Sequence, residues 1–438
     1  REDITLVPAL DQTGAVFPYI RTEIPADSGL FHNVYTHRPK ELSAYVQDKM
    51  EFKNFIMNVG VRFDYFEPDG MVLNDDPTTD ASGIATHNTV DDPEIYDPIK
   101  PWNQNKTLEE RFSYWYKKAK AKWQFSPRIG ASFPITAEGV VHFSYGYFFQ
   151  IPRFERLYEN PDFKLGKGTG NQGLVGNADL EPEQTVNGEI GVQQQVSDGV
   201  SVDLTAYMRD IRNLTGTGIN DEIIVFRGAK KYSRYVNRDF GTVKGIVLSL
   251  NKRFSGGFSS TVDYTYQIAR GSSSDPTQTR NAVLGGQLPE VQLVPLDWDQ
   301  RHTLNVAASY DSHPWGVSLI GQYGSGSPYT PFSTVDISTL LTNSQIKPPF
   351  FNLDARAYYE LKFSNVKIVT FARVFNLLDI RNQTGVFDRT GRADFTPQEE
   401  QVQRTNAPEY VNTYDQWFRR ADYYSEPRRI EVGMNVEF

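Results

Sequence analysis

The sequence contains no cysteine. Disulfide scaffolds, thiolate zinc sites and cysteine nucleophiles are therefore excluded. No apolar run approaches the ~18 residues that a membrane-spanning helix needs. That removes helical membrane proteins and leaves closed strands as the one route across a bilayer. Positive charge is also short: 45 Lys and Arg against 54 Asp and Glu give a net charge of −9. A nucleic-acid partner needs a basic footprint, so none is expected. Of the six histidines, none belongs to an HExxH or His-x-His pair, so no metal site is expected. There is no GxSxG and no triad signature. The chain reads as a non-enzyme without a cofactor.

What the sequence has in quantity is alternation. In the closing segment 428–438, Ile430, Val432, Met434, Val436 and Phe438 share one side of an extended strand. Arg429, Glu431, Gly433, Asn435 and Glu437 share the other. Period two with two different environments marks a strand between unlike media. The pattern recurs at 39–52, 55–66, 126–135, 140–149, 184–196, 200–213, 242–254, 258–270, 301–310, 316–324, 351–362 and 366–378. In 140–149, Phe148 interrupts an otherwise polar side made by His142, Ser144 and Gly146. Short turns alternate strictly with long loops. Eleven residues at ~3.3 Å each and ~45° tilt rise ~25 Å, the height of an outer-membrane apolar band. Sandwich strands are about half as long. The expected fold is all-β: an antiparallel transmembrane β-barrel with short periplasmic turns and long extracellular loops.

Charges on the polar side of these strands are expected to face the lumen: Arg62, Arg128, Glu189, Asp263, Asp354, Arg356, Glu360 and Arg373. In lipid an Arg costs up to ~2–4 kcal/mol at the midplane. Turned inward, such groups brace a plug or line a water path. His142 and His302 are expected there too. Aromatics beyond the strand ends, Phe154, Tyr158, Tyr329, Phe332, Tyr410, Trp417 and Tyr423, suit ligand capture or an interfacial girdle equally well. Other motifs read as loop features. Gly168–Gly173 fits GxGxxG but lies in no βαβ unit. The acidic stretch 67–125 lacks EF-hand spacing.

The ordered set of segments resembles one family. SAYVQDKMEF with VGVRFDYF, SPRIGASF with HFSYGYFFQIPRFERLY, NADLEPEQTVNGEIGV, DQRHTLNV, FARVFNLLDIRN and the terminal RRIEVGMNVEF resemble, in order, strands of TonB-dependent outer-membrane receptors. The wording is nearest to receptors of the Bacteroidota. The resemblance covers 39–438 as the C-terminal part of a 22-stranded barrel, with 1–38 as a strand or extracellular-loop remnant. A plug and TonB box are expected upstream. The resemblance implies an integral protein of the Gram-negative outer membrane. It would take up a scarce nutrient (siderophore, cobalamin or oligosaccharide) with TonB-coupled energy. Implied partners are outer-membrane lipids and lipopolysaccharide, TonB-ExbB-ExbD, the outer-membrane assembly machinery, and a surface lipoprotein or other subunits. Phe438 would be the assembly signal. The alternative is a structural or interaction barrel within a larger outer-membrane assembly.

Overall fold

The computed structural model describes residues 5–10, 16–23, 34–73, 116–161, 174–225, 230–284, 292–332, 342–400 and 418–438. Thirteen long strands dominate. They are β1 (Lys40–Phe52), β2 (Phe55–Glu67), β3 (Lys122–Pro134), β4 (Gly139–Gln150), β5 (Glu183–Ser197), β6 (Val200–Val225), β7 (Lys230–Ser255), β8 (Phe258–Gly271), β9 (His302–Ser312), β10 (Trp315–Gly324), β11 (Phe350–Phe363), β12 (Val366–Phe375) and β13 (Arg429–Glu437). Each pairs antiparallel with its sequence neighbour, so the sheet runs in chain order from β1 at one edge to β13 at the other. Such an up-and-down order needs no crossover and is the layout of a barrel wall. Short strands Leu174–Val175 and Val294–Pro295 add to β7 and β8. Three small hairpins stand apart: Thr5–Leu10 with Val16–Glu23, Met71–Leu73 with Tyr116–Lys118, and Pro328–Tyr329 with Gln345–Ile346.

Alternation along each strand becomes two faces across the sheet because register carries it from neighbour to neighbour. Phe133, Val141, Val192, Leu204, Leu248, Tyr264, Leu304, Tyr323 and Phe351 are successive cross-strand partners from β3 to β11. One residue further along, the row reads Gln193, Asp203, Ser249, Asp263, Asn305, Gln322 and Asn352. The first row is wholly apolar, and the second is polar throughout from β5 to β11, with Val140 next to it on β4. The apolar face stays exposed, with Val432 at 80% and Ile190 at 57%. A face of that kind is built for lipid.

Two strands exceed expectation. β6 and β7 continue past residues 213 and 242 to 26 residues each. The pairing shifts register at Leu214, beside Asn213 with its positive φ of 59°. Beyond this bulge the pair extends past the wall, joined among the described residues only by Leu174–Val175, so it need not keep the alternation that announces a membrane strand. Among the described residues, loop segments include the short helices α1 (Phe154–Tyr158) and α2 (Gln278–Leu284).

Mid-strand residues face lipid or the opposite polar side, so the wall has no core of its own. The main buried cluster lies at the loop end: Phe66, Val72, Ala119, Leu157, Tyr158, Ala178, Leu180 and Tyr235. A smaller one joins Val243, Ala269 and Leu296.

Candidate functional site

The polar face is the first candidate surface. Register places Arg62, Arg128, Glu189, Asp263, Arg356 and Arg373 on it together, with Asp354 and Glu360. Many of its groups are satisfied locally. Arg62 donates Nε to Asp64 at 2.7 Å. Glu189 accepts from Asn187 at 2.8 Å and from Ser144 at 3.3 Å. Asp263 accepts from Ser249 at 2.6 Å and Asp354 from Asn352 at 2.9 Å.

Three arginines are held differently. Arg128 lies over the Phe148 ring, 4.4 Å from its centroid. Arg356 and Arg373, opposite each other on β11 and β12, flank Phe371 at 5.8 and 5.1 Å. Like charges directly opposite repel, and the shared ring offsets this by cation–π attraction. Among the described residues none of the three has a carboxylate within ion-pair distance. Glycines make room for the arrangement. A Cβ on Gly146 would stand 3.0 Å from Arg128 Cγ, and one on Gly433 would stand 2.6 Å from Phe371 Cζ. Two recesses open on this face. One, of 530 Å³, is lined by Gln47, Asn58, Arg62, Arg128 and Asn187. The other, of 340 Å³, shares Arg62 and adds Ser43, Lys122 and Gln150.

His142 sits on the polar face, 3.2 Å from the Thr205 hydroxyl. His302 does not, contrary to expectation. Its register partner is Tyr266, itself paired with Ile246, which puts His302 on the apolar face. Nδ1 lies 2.8 Å from the Tyr264 hydroxyl. Position at the loop end of β9 explains this: a ring with a polar edge suits the membrane interface.

The loop end is the second candidate surface. Tyr158 is buried and stacks on His37, 4.1 Å between centroids and 17° apart. Tyr35 closes on His37 at 5.2 Å. Burial pushes the Tyr158 hydroxyl up to about 12, and the Asp69 carboxylate adds to this. Tyr235 donates to Glu159 at 3.1 Å and is also pushed well above the ordinary tyrosine value, by burial first. Phe154 is half exposed, and its ring is nearly parallel to Phe66. Tyr329 and Phe332 belong to a separate loop group. The Tyr329 hydroxyl covers Gly391, and Arg389 lies 3.7 Å over the Phe332 ring. The Tyr423 ring is tilted against Phe387, 5.2 Å between centroids. Tyr410, Trp417, the Gly168–Gly173 loop and most of the acidic stretch lie outside the described residues. The aromatics thus form at least two groups rather than one cluster.

Sequence reasoning missed the asparagines that fasten the loops. Asn382 accepts from the Phe351 amide at 2.9 Å and donates to its carbonyl at 2.8 Å. Asn237 does the same with Glu181, at 2.7 and 2.8 Å. Asn376, at φ 50°, grips Ile380 and donates to the Glu426 carbonyl at 3.1 Å. Asp379 accepts from the Arg428 amide at 2.9 Å. The Asn376–Asp379 motif therefore delivers the chain into β13. Only its match to the family motif marked it in the sequence.

Length, two-faced alternation and up-and-down order define an antiparallel transmembrane β-barrel wall. The chain belongs to the TonB-dependent receptor-like β-barrel family, whose pattern matches residues 8–377. These are receptors rather than enzymes, integral to the Gram-negative outer membrane. No curated protein matches the sequence. Solved structures agree in fold. The ferric-catecholate import receptor Fiu of Escherichia coli K12 is 16% identical, with TM-score 0.52, over 91% of this chain and 44% of its own. The outer membrane transporter YddB of Escherichia coli is 11% identical, with TM-score 0.55, over 87% and 46%. A mutant ferric enterobactin receptor, PfeA of Pseudomonas aeruginosa, is 15% identical, with TM-score 0.50, over 99% and 57%. The chain spans about half the length of these structures.

Proposed function

We propose that this chain is the C-terminal barrel part of a receptor that takes up a scarce nutrient too large for passive pores. A ferric siderophore, cobalamin or an oligosaccharide is the expected cargo, and energy comes through TonB-ExbB-ExbD. The outer loops capture the cargo, and the polar face lines the lumen. The observation that carries this reading is the set of Arg128, Arg356 and Arg373, oriented on aromatic rings with no carboxylate within ion-pair distance among the described residues, although Glu431 stands across the sheet from Arg373. A wall that only needed bracing would pair its cations internally. Cations held ready on rings suit a partner or cargo that enters the lumen. Phe438, 98% exposed at the turn end of β13, is assigned to recognition by the assembly machinery.

The test is growth. A strain without the gene is grown with each nutrient class as sole source, ferric chelates first because two solved neighbours are named for them. Loss of growth on one class is expected, and the same loss when TonB is removed. Undiminished growth on all three classes would overturn the uptake reading.

A further inference from the structure

Two recesses stand in file on the polar face of β1–β4, and Arg62 lines both. The upper one, toward the loops, is neutralised. Its cations already have acids: Arg62 donates Nε to Asp64 at 2.7 Å, and Lys122 Nζ lies 3.3 Å from both Asp179 and Glu181. Glu41 lines it as well. The lower one, of 530 Å³, is different. Arg62 and Arg128 line it, and among the described residues no carboxylate does. Glu189, opposite Ser144 at its rim, is engaged by Asn187 and Ser144.

Bare backbone makes the space. Gly60 stands between Gln47 on β1 and Arg128 on β3. With no side chain there, Gln47 and Arg128 face each other across two strand spacings, about 10 Å. Gly130, opposite Asn58, and Gly146, opposite Arg128, extend the floor. The Gln47 and Asn58 carboxamides have no partner among the described residues. A guanidinium fork grips a carboxylate bidentately, and carboxamides both donate and accept hydrogen bonds around it. The volume is that of a small-molecule site.

Depth sets the role. Arg62 is seven residues from Phe55 and Arg128 six from Pro134, both at the turn end. At ~3.3 Å per residue and ~45° tilt they stand about 16 and 14 Å up a band about 25 Å tall. A solute held there has left the loops and has not reached the turns.

We propose that the lower recess is a transit station for a carboxylate-bearing polar solute. Arg128 and Arg62 bind the carboxylate, and Gln47 and Asn58 bind the polar body beside it. Arg62 hands the group down, since it lines both recesses. The inference rests on the uptake reading and adds to it the charge of the cargo and the flank of the lumen that it follows.

The test uses the full receptor in isolated outer membranes. The chain has no cysteine, so one introduced thiol is read on its own peptide by mass spectrometry. Ser144→Cys reports from the recess. Gln322→Cys, seven residues from Trp315 on β10, reports from the polar face at like depth. Each is labelled with sulfonatoethyl and with trimethylammonioethyl methanethiosulfonate. The ratio of anionic to cationic labelling should be about tenfold higher for Ser144→Cys. Adding Arg62→Gln and Arg128→Gln should erase that excess. Glucuronate should slow the labelling of Ser144→Cys, and glucose should not. Equal ratios at the two positions overturn the proposal, as does protection by glucose, or by glucose 6-phosphate without glucuronate. So does a failure of Ser144→Cys to label, which would mean that protein fills the recess. Folding is read by the heat shift on a denaturing gel. If the variant without both arginines does not fold, glucuronate protection of Ser144→Cys alone decides. Growth loss on one nutrient class without glucuronate protection sinks this site and leaves the uptake reading. Protection without any growth loss leaves a carboxylate site and sinks uptake through it.

Discussion

The guanidinium of Arg128 on β3 rests on the ring of Phe148 on β4. Phe148, like Val140, is an apolar residue on the polar side of its strand, and its ring carries this contact. The expected coupling in a double-mutant cycle of Arg128→Gln and Phe148→Leu is about 0.5–1 kcal/mol for an exposed pair. Urea unfolding in detergent measures it. Zero coupling would mean the ring does not hold the arginine.

Asn382 supplies both hydrogen bonds that a neighbouring strand would give Phe351. Asn382 is buried, so Asn382→Ala leaves an amide and a carbonyl unpaired, at about 1–3 kcal/mol each. Loss of hydrogen-exchange protection at the Phe351 amide is expected, with β5 unaffected. Unchanged protection would reassign the pair to water.

Gly433 gives its place to the Phe371 ring. Gly433→Val is expected to push that ring off and weaken β12–β13 pairing, reducing the heat-shifted folded fraction severalfold. Phe371→Ala in the same chain should restore it. A failure of the second change to rescue the first would show that the strand, rather than the ring, rejects valine. Phe438→Asp should lower the same fraction without altering ligand binding in the protein that does fold.

Tyr158 was a candidate ligand contact in the sequence, yet it is buried among Phe66, Leu157, Leu180 and Tyr235. Tyr158→Ala should cost about 3–5 kcal/mol of loop-end stability, the scale for emptying an aromatic site. Tyr158→Phe should be nearly neutral in thermal unfolding. If Tyr158→Phe instead weakens nutrient capture at unchanged stability, the hydroxyl reaches the ligand.

Asp239 is buried above the membrane band, and burial raises its carboxyl despite the Ser272 hydrogen bond and the nearby Arg238. The folded state therefore holds this proton more tightly than the unfolded chain. Stability from protonation is present at low pH and is lost as pH rises from the unfolded pKa through the folded one. Thermal unfolding at about pH 4 should show a smaller stability difference between wild type and Asp239→Asn than at about pH 7. Equal differences at both would place the carboxylate in water.

The sequence by itself determined the wall. All thirteen strands and both faces were legible, because a strand between lipid and water must alternate and its period survives in one dimension. The polar parity of Arg128 and Arg373 follows from that rule alone. The tertiary structure decided what no period encodes. Whether an aromatic beyond a strand end is core or surface depends on distant segments: Tyr158 is buried because His37, Phe66 and Tyr235 meet it. His302 stands two residues before Leu304, so alternation alone puts it on the apolar side; the structure adds the Tyr264 hydroxyl that meets its ring. The grip of Asn382 on Phe351 joins a loop residue, where no repeating pattern runs, to the start of β11, 31 positions away. Local alternation is a property of the medium around each strand; loop packing is a property of which strands become neighbours.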